Sequence, residues 1–268
     1  MTLTSRQFLA LIGTAAIAAM PGSASAKDLA FPFSAANFTH PLDITNTFFP
    51  LIPGTTFVYK AQSLDGCEED DFTVTFDTKV VAGVTTRVIR DLAYEDVECD
   101  GVDDSELVEK TSDFHAQDNA GNVWYFGEET FHCNGASSCT LGSGSWQAGV
   151  DGAIAGVVML ASPHSGDSYK QELYPGRAED QGSVMTTGYT AKLKREDAYP
   201  PGTFSDCIVT KEWSTLELGS IEQKTYCPGV GLVIVEEHHG KKLTAELTAP
   251  GAAKTDETFQ FRTVPGNP

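Results

Sequence analysis

Carboxylates and cysteines are the side chains of this chain whose spacing could do chemistry. Asp65, Glu68, Glu69, Asp70 and Asp71 surround Cys67, and Glu95, Asp96, Glu98, Asp100, Asp103 and Asp104 surround Cys99. If the two cysteines bond, two acidic loops meet at one end of a sheet. So many carboxylates in one place repel unless some protonate, reach water or share a cation. Calcium, a hard ion that takes oxygen ligands, suits them best. Asp100-Gly101-Val102-Asp103-Asp104 has the glycine turn and the carboxylates of a calcium loop, though not the EF-hand pattern, and with Asp70 and Asp71 it makes the candidate metal set. The competing reading is a pair of solvated hairpin tips whose charge discourages edge-to-edge association.

A second group combines acids with aromatic rings: Glu128, Glu129, Asp151, Glu172, Glu179 and Asp180 accompany Trp124, Tyr125, Trp146 and Tyr174. Paired carboxylates beside aromatic platforms are what a glycosidase needs, one as acid and the other as base or nucleophile. The spacing singles out no pair, and aromatic residues on strands are more often core than platform. Trp124, Tyr125, Trp146, Glu128, Glu172, Glu179 and Asp180 are therefore candidates for ligand contact, with no catalytic residue assigned. His238 and His239 are adjacent and would point to opposite faces of a strand, so they cannot chelate one ion together. Gly142-Ser143-Gly144-Ser145-Trp146 does not match a nucleophile elbow, and no phosphate-cradling or dinucleotide glycine motif is present.

The six cysteines fall into three pairs, each reflected about a turn signal. Cys67 and Cys99 are centred on Gly83, Cys133 and Cys139 flank Asn134-Gly135, and Cys207 and Cys227 are centred on Glu217 beside Leu218-Gly219. Residues equidistant from a hairpin turn face each other across the ladder, which predicts three disulfides, Cys67 to Cys99, Cys133 to Cys139 and Cys207 to Cys227. Such bonds persist in an oxidising compartment. The amino terminus agrees: Arg6, an apolar run over 8–20 and Ala24-Ser25-Ala26 read as an export signal over 1–26, giving a periplasmic or extracellular protein. The apolar run is too short to span a bilayer, and no later stretch qualifies, so no membrane insertion is expected. The chain has 18 basic and 37 acidic side chains, so loss of the signal with its single Arg6 leaves a net charge of −20. That field disfavours nucleic acid and anionic membrane surfaces.

Period-two segments rich in Thr, Val, Phe and Tyr must position these groups. Strands are predicted over 56–62, 72–76, 85–94, 107–116 and 123–126, then over 168–173, 183–193, 207–216, 221–227, 232–238, 242–248 and 258–262. Residues 153–161 could make one short helix or a buried strand. The halves look alike: Pro53-Gly54-Thr55-Thr56-Phe57-Val58-Tyr59 has a counterpart in Ser165-Gly166-Asp167-Ser168-Tyr169-Lys170-Gln171, and two further blocks align with gaps. The expectation is an all-β chain with little helix, in which two related antiparallel meanders (27–127 and 167–268) pack as a sandwich or a pair of half-barrels. A linker over 128–166 carries the Cys133 hairpin. A groove between concave faces would be the place for a ligand.

Several blocks resemble an uncharacterised family of exported bacterial proteins. They are Pro41-Leu42-Asp43-Ile44-Thr45-Asn46 with Phe49-Pro50-Leu51-Ile52-Pro53-Gly54-Thr55; Asn122-Val123-Trp124-Tyr125-Phe126-Gly127-Glu128; Trp146-Gln147-Ala148-Gly149-Val150-Asp151-Gly152-Ala153; Tyr174-Pro175-Gly176-Arg177-Ala178-Glu179-Asp180; and Pro228-Gly229-Val230-Gly231-Leu232-Val233. The resemblance implies export and brings no activity, substrate or cofactor. His115 stands where the pattern would have an aromatic ring, and the cysteines look like additions to it.

Three functions follow as expectations. The first is a disulfide-stabilised binding protein that holds a small or apolar ligand, or an envelope partner, between its halves. This is favoured because no catalytic constellation assembles. The others are a glycan-active protein, lectin-like or hydrolytic, and an extracellular structural protein stabilised by calcium.

Overall fold

Alternation of apolar and polar residues between glycine-rich turns gives strands here, and the computed structural model describes residues 27–63, 65–195, 203–239 and 241–252. Among these, sixteen strands and one short 3-10 turn account for the regular structure. The first half supplies β1 (Lys27–Asp28), β2 (Thr55–Ser63), β3 (Gly66–Val81), β4 (Val84–Asp96), β5 (Leu107–Gln117) and β6 (Val123–Cys133). Then come β7 (Cys139–Leu141), β8 (Trp146–Gln147), β9 (Ile154–Met159), β10 (Asp167–Lys170) and β11 (Glu172–Leu173). The last are β12 (Asp180–Lys192), β13 (Thr203–Ser214), β14 (Glu222–Cys227), β15 (Gly231–His239) and β16 (Lys241–Ala252). The fold is all-β, and residues 153–161 contribute a strand. The export signal over 1–26 and the strand expected over 258–262 lie outside the described residues.

Both halves belong to one sheet, because β16 pairs antiparallel with β2. The path runs β1-β10-β12-β13-β14-β15-β16-β2-β3-β4-β5-β6-β9-β11. Residues 128–166 are more than a connection, since the end of β6 and all of β7, β8 and β9 join the same sheet. The ladder is not closed into a barrel, yet its ends approach along one stretch of chain. Strand β10 pairs with β12, β11 pairs with β9, and only Gln171 separates β10 from β11. This seam needs a glycine: a Cβ at Gly156 would collide with the carbonyls of Gln171 and Lys170.

Rolling the sheet creates two cores. On the inner face Phe57, Tyr59 and Val74 pack with Ile89, Ile208, Tyr226 and Leu247. On the outer face of β5 and β6, the segment before β2 brings Phe31, Phe33 and Phe38 onto Trp124 and Phe126, with ring centroids 5.5–6.2 Å apart in mostly edge-to-face contacts. Such rings contribute roughly 0.5–1.5 kcal/mol per pair beyond the area they bury.

The segment 41–53 closes one end of the roll, and Asn46 pins it. The Asn46 side-chain amide donates to the carbonyls of Gly121 (2.9 Å) and Leu160 (3.0 Å), and its oxygen accepts from the amides of Phe48 (2.8 Å) and Phe49 (3.2 Å). Gly229, in the turn after β14, donates its amide to the Thr47 carbonyl, 2.8 Å away. The same segment is thereby tied to both halves.

All three expected disulfides form. Cys133 lies directly opposite Cys139, and Ile208 opposite Tyr226 brings Cys207 across from Cys227, as reflection about the turns requires. The Cys67 to Cys99 bond has a different origin. A bulge between Val74 and Thr78 shifts the β3–β4 register, so Cys67 faces Asp96, and Cys99 reaches it from the loop beyond the strand with a Cα separation of 5.2 Å. Arg87 braces the bulge by donating to the carbonyl of Phe76 at 3.0 Å. Three disulfides fit an extracytoplasmic protein. No helix among the described residues is long and apolar enough to cross a membrane.

Asn46→Ala removes the side chain's bonds to two amides and two carbonyls, of which the Phe49 amide keeps the Asn46 backbone carbonyl, and is expected to cost roughly 3 kcal/mol in urea unfolding. Gly156→Ala crowds the seam and is expected to cost about 2 kcal/mol or more. A loss below about 0.5 kcal/mol in either variant would refute the corresponding role.

Candidate functional site

The inside of the rolled sheet is not filled: a cavity of about 300 Å³ runs through it. Phe49, Pro50 and Leu51 form the closed end together with Val230 and Gly231, while Gly144, Arg177, Leu216 and Glu217 stand toward the other. These last belong to turns at the opposite ends of their strands, and Leu216 is 45 % exposed, which marks the open end. The acidic loop 97–106 and the Cys133 hairpin sit together at that end, since Gly135 donates to the Leu107 carbonyl and Ala136 to that of Asp104.

Strand parity supplies the lining. On β5, Glu109, Thr111, Asp113 and His115 face the cavity, and the alternate residues Phe114 and Ala116 belong to the outer core. On β6 parity alone would send Tyr125 and Glu128 to opposite faces. A bulge intervenes, so that His115 pairs with Tyr125 but Asp113 with Glu128. Gly127, at φ 122°, occupies the bulge, where a Cβ would strike the Trp146 carbonyl of β8. Tyr125 and Glu128 consequently share the inner face.

Their geometry demands protons. The Tyr125 hydroxyl lies 2.7 Å from Asp113 Oδ1 and 2.9 Å from Glu128 Oε2. A hydroxyl has one hydrogen to donate, so it can bond both carboxyls only if one of them is protonated and donates back. Burial pushes the Asp113 carboxyl up to about 8, reinforced by the charge of Asp91 and opposed by the Tyr125 hydrogen bond. Glu128 also rises to about 8, through burial and then the charge of Asp113. Deeper along the wall Asp70 and Asp91 share a hydrogen bond, which again requires a proton between them. Burial raises both, Asp70 to about 6. Burial likewise raises Glu109, Glu172 and Asp180.

One buried cation stands opposite, in addition to the exposed Arg177 at the open end. Lys224 Nζ lies 2.9 Å from Glu212 and 3.1 Å from Glu222. Burial pushes Glu212 up, but Lys224 and hydrogen bonds from Lys224, Gln171 and Thr210 outweigh it and hold the carboxyl below its ordinary value. Glu222 has fewer partners, and burial leaves it raised despite Lys224. The ammonium is thus committed to its own strand neighbours and does not neutralise the Asp113 wall. His115 adds no charge, because burial pushes its imidazole down to about 3. It stacks on Tyr125 at 4.9 Å and lies 5.7 Å from Phe49. The ring standing where the resemblance would have an aromatic residue therefore packs as one.

Of the expected ligand-contact residues, Tyr125, Glu128, Glu172 and Asp180 come together on the cavity. Trp146 stands behind them: its indole N–H donates to Glu172 at 3.3 Å and its ring meets Tyr125 edge-on at 5.5 Å. Trp124 faces the outer core and donates to Asp118 at 2.8 Å. Glu179 is held at the surface by Thr215 and by the Gly176 amide. The expected metal set is dispersed: Asp70 lines the cavity, Asp71 is on the other face of β3, and Asp100, Asp103 and Asp104 lie in the loop after β4. In that loop Asp96, Asp100 and Glu106 place one oxygen each within 4.8 Å of one another. Yet Asp96 already accepts from the amides of Cys99 (2.6 Å) and Gly101 (2.9 Å), and Glu106 from that of Asp103 (2.9 Å). These carboxylates shape the loop. Sequence reasoning passed over Asp91, Glu109, Asp113, Glu212 and Lys224, although Glu109-x-Thr111-x-Asp113 is a period-two polar row opposite an apolar one.

No family model and no curated protein matches the chain. Two solved structures align with it at low similarity. A Parabacteroides distasonis protein described as a lipoprotein aligns at 14 % identity and a TM-score of 0.37, over 76 % of this chain and 97 % of its own. A Bacteroides fragilis protein described as exported, with a YmcC-like fold, aligns at 13 % identity and a TM-score of 0.36, over 76 % and 98 %.

The raised carboxyls set a pH dependence. The folded chain holds protons on Asp113 and Glu128 up to about pH 8, whereas an unfolded chain releases them near pH 4, so stability falls as pH rises between those values. His115 acts in the opposite sense only below about pH 6.5, the unfolded value. The urea midpoint is therefore expected to be higher at pH 6.5 than at pH 8, with the difference reduced in Glu128→Gln. A flat profile over that interval would contradict the protonated wall.

Proposed function

We propose that this chain is an exported binding protein that holds a small ligand inside its rolled sheet. The observation that carries this reading is the cavity itself. It is closed at one end by the Asn46-anchored segment, bordered by surface residues at the other, and lined by aromatic rings together with a concentrated set of acidic side chains. Sites for small molecules have this character: an apolar wall supplies affinity and placed polar groups orient the ligand. The unfilled volume supports the reading, because a sheet interior with no ligand to hold gains by packing to full density.

The glycan-active alternative would use Trp124 and Trp146 as platforms, and both indoles are buried behind other side chains. The calcium-stabilised alternative would use loop carboxylates already engaged by backbone amides. Binding in the cavity needs neither.

Native mass spectrometry of the protein purified from its own host tests the reading. A non-covalent small-molecule adduct is expected on the wild type and is expected to disappear in Ala245→Trp, which fills the cavity from a buried position on β16. A bare mass for the wild type, or an adduct unaffected by filling, would count against cavity binding.

A further inference from the structure

We infer that the ligand is an organic amine in its protonated form, an ammonium group on an apolar body, with Asp113, Glu128 and the Tyr125 hydroxyl receiving the nitrogen and the aromatic floor receiving the rest. This rests on the cavity-binding reading and gives it a ligand class.

Three independent observations lead there. The first is the composition of the wall. Asp70, Asp91, Glu109, Asp113, Glu128 and Glu172 line one continuous region, while the nearest buried cation, Lys224, is held by Glu212 and Glu222. Without a cation these carboxyls stay neutral by keeping their protons, and an ammonium is the ligand group that can take the place of those protons. The second is His115, which is 5 % exposed, lines the floor and leaves its buried Nδ1 without a hydrogen-bond partner among the described residues. A buried ring nitrogen without a partner is a polar atom left for something else to satisfy. The third is the gradient of character along the cavity. Phe49 rises from the closed end to meet Phe72 at 6.4 Å and Tyr226 at 6.0 Å, and the carboxyls occupy the rungs of β4, β5 and β6 nearer the open end. An amphipathic cation fits this order with its nitrogen uppermost. Carboxylates at the rim of the open end would favour its approach.

Binding would be linked to proton release. Without ligand, Asp113 and Glu128 hold protons at neutral pH. An ammonium beside them favours the ionised forms, so each binding event expels protons and affinity rises with pH. The groups facing this pair are Asp70 on β3, Asp91 on β4, Glu109 and His115 on β5, Tyr125 on β6, Glu172 on β11 and Asp180 on β12, with Glu212 on β13 and Lys224 on β14 across the cavity and Arg177 and Glu217 at the open end. Burial raises these carboxyls except Glu212, which Lys224 and hydrogen bonds hold low, and His115 stays neutral above pH 6.5.

Isothermal titration with octylammonium and with 1-octanol as a neutral analogue tests this, because an alkylamine stays charged across pH 6.5–8.5 as a lysine side chain does. Octylammonium is expected to bind at least tenfold more tightly than octanol at pH 8. Its affinity is expected to increase at least threefold from pH 6.5 to pH 8, with a binding heat that changes with the ionisation heat of the buffer. Glu128→Gln, which keeps the shape of the protonated acid, is expected to lose at least tenfold at pH 8. Tyr125→Phe gives a second variant with the ring intact. Asp28→Asn, at an exposed acid of β1, controls for adsorption to the negative surface and is expected to leave affinity unchanged. Octanol binding as tightly as octylammonium, or full affinity in both cavity variants, overturns the amine assignment and leaves cavity binding standing. Failure of both probes to bind at millimolar concentration overturns both.

Discussion

A single sheet rolled until its ends approach along 167–173 has an inside and an outside, and strand parity decides what each receives. The remaining features follow from which phase faces inward. Aromatic residues of the segment before β2 cover the outer face of β5 and β6, so Trp124, Phe126 and Phe114 have an apolar place outside the roll. The opposite phase, with its carboxyls, is then committed to the interior. Covering one face of the sheet is thus what turns an ordinary alternating strand into the wall of a polar cavity.

An interior of this kind holds its acids by keeping protons on them. Protonating an ordinary carboxylate at pH 7 costs about 4 kcal/mol, so a carboxyl stays neutral once burial and like-charged neighbours make the anion costlier than that. One arrangement shows it geometrically, the Tyr125 hydroxyl between Asp113 and Glu128, and the neighbouring Asp70 and Asp91 carboxyls are raised together. Around Lys224 the same balance resolves differently, because an ammonium is available and Glu212 keeps its charge. The interior is therefore divided into a protonated wall and a compact ion cluster. Only the wall has unmet capacity for a cation.

Much of the architecture was legible because it is local. Alternation marked the strands, Asn134-Gly135 marked a hairpin, and reflection about turns paired all six cysteines. The Cys67 and Cys99 pairing reached the right partners through a loop and a bulge, so symmetry about Gly83 was only part of its cause. Half of the site was legible too. Tyr125, Glu128, Glu172 and Asp180 stood out by type, while Trp124 and Trp146 looked like platforms because nothing local says which side of a strand is covered.

What the sequence determined by itself is what depends on neighbours along the chain: all-β structure, turn positions, disulfide partners and a strongly acidic balance. Tertiary structure alone decided that β16 joins β2 into one sheet, that Gly127 bulges so Tyr125 and Glu128 meet, and that the Glu109, Thr111 and Asp113 row points inward. The reason is physical. A strand offers two equivalent faces, and only contacts between residues far apart in sequence, such as Asn46 with Leu160 or Phe38 with Trp124, determine which face is removed from water.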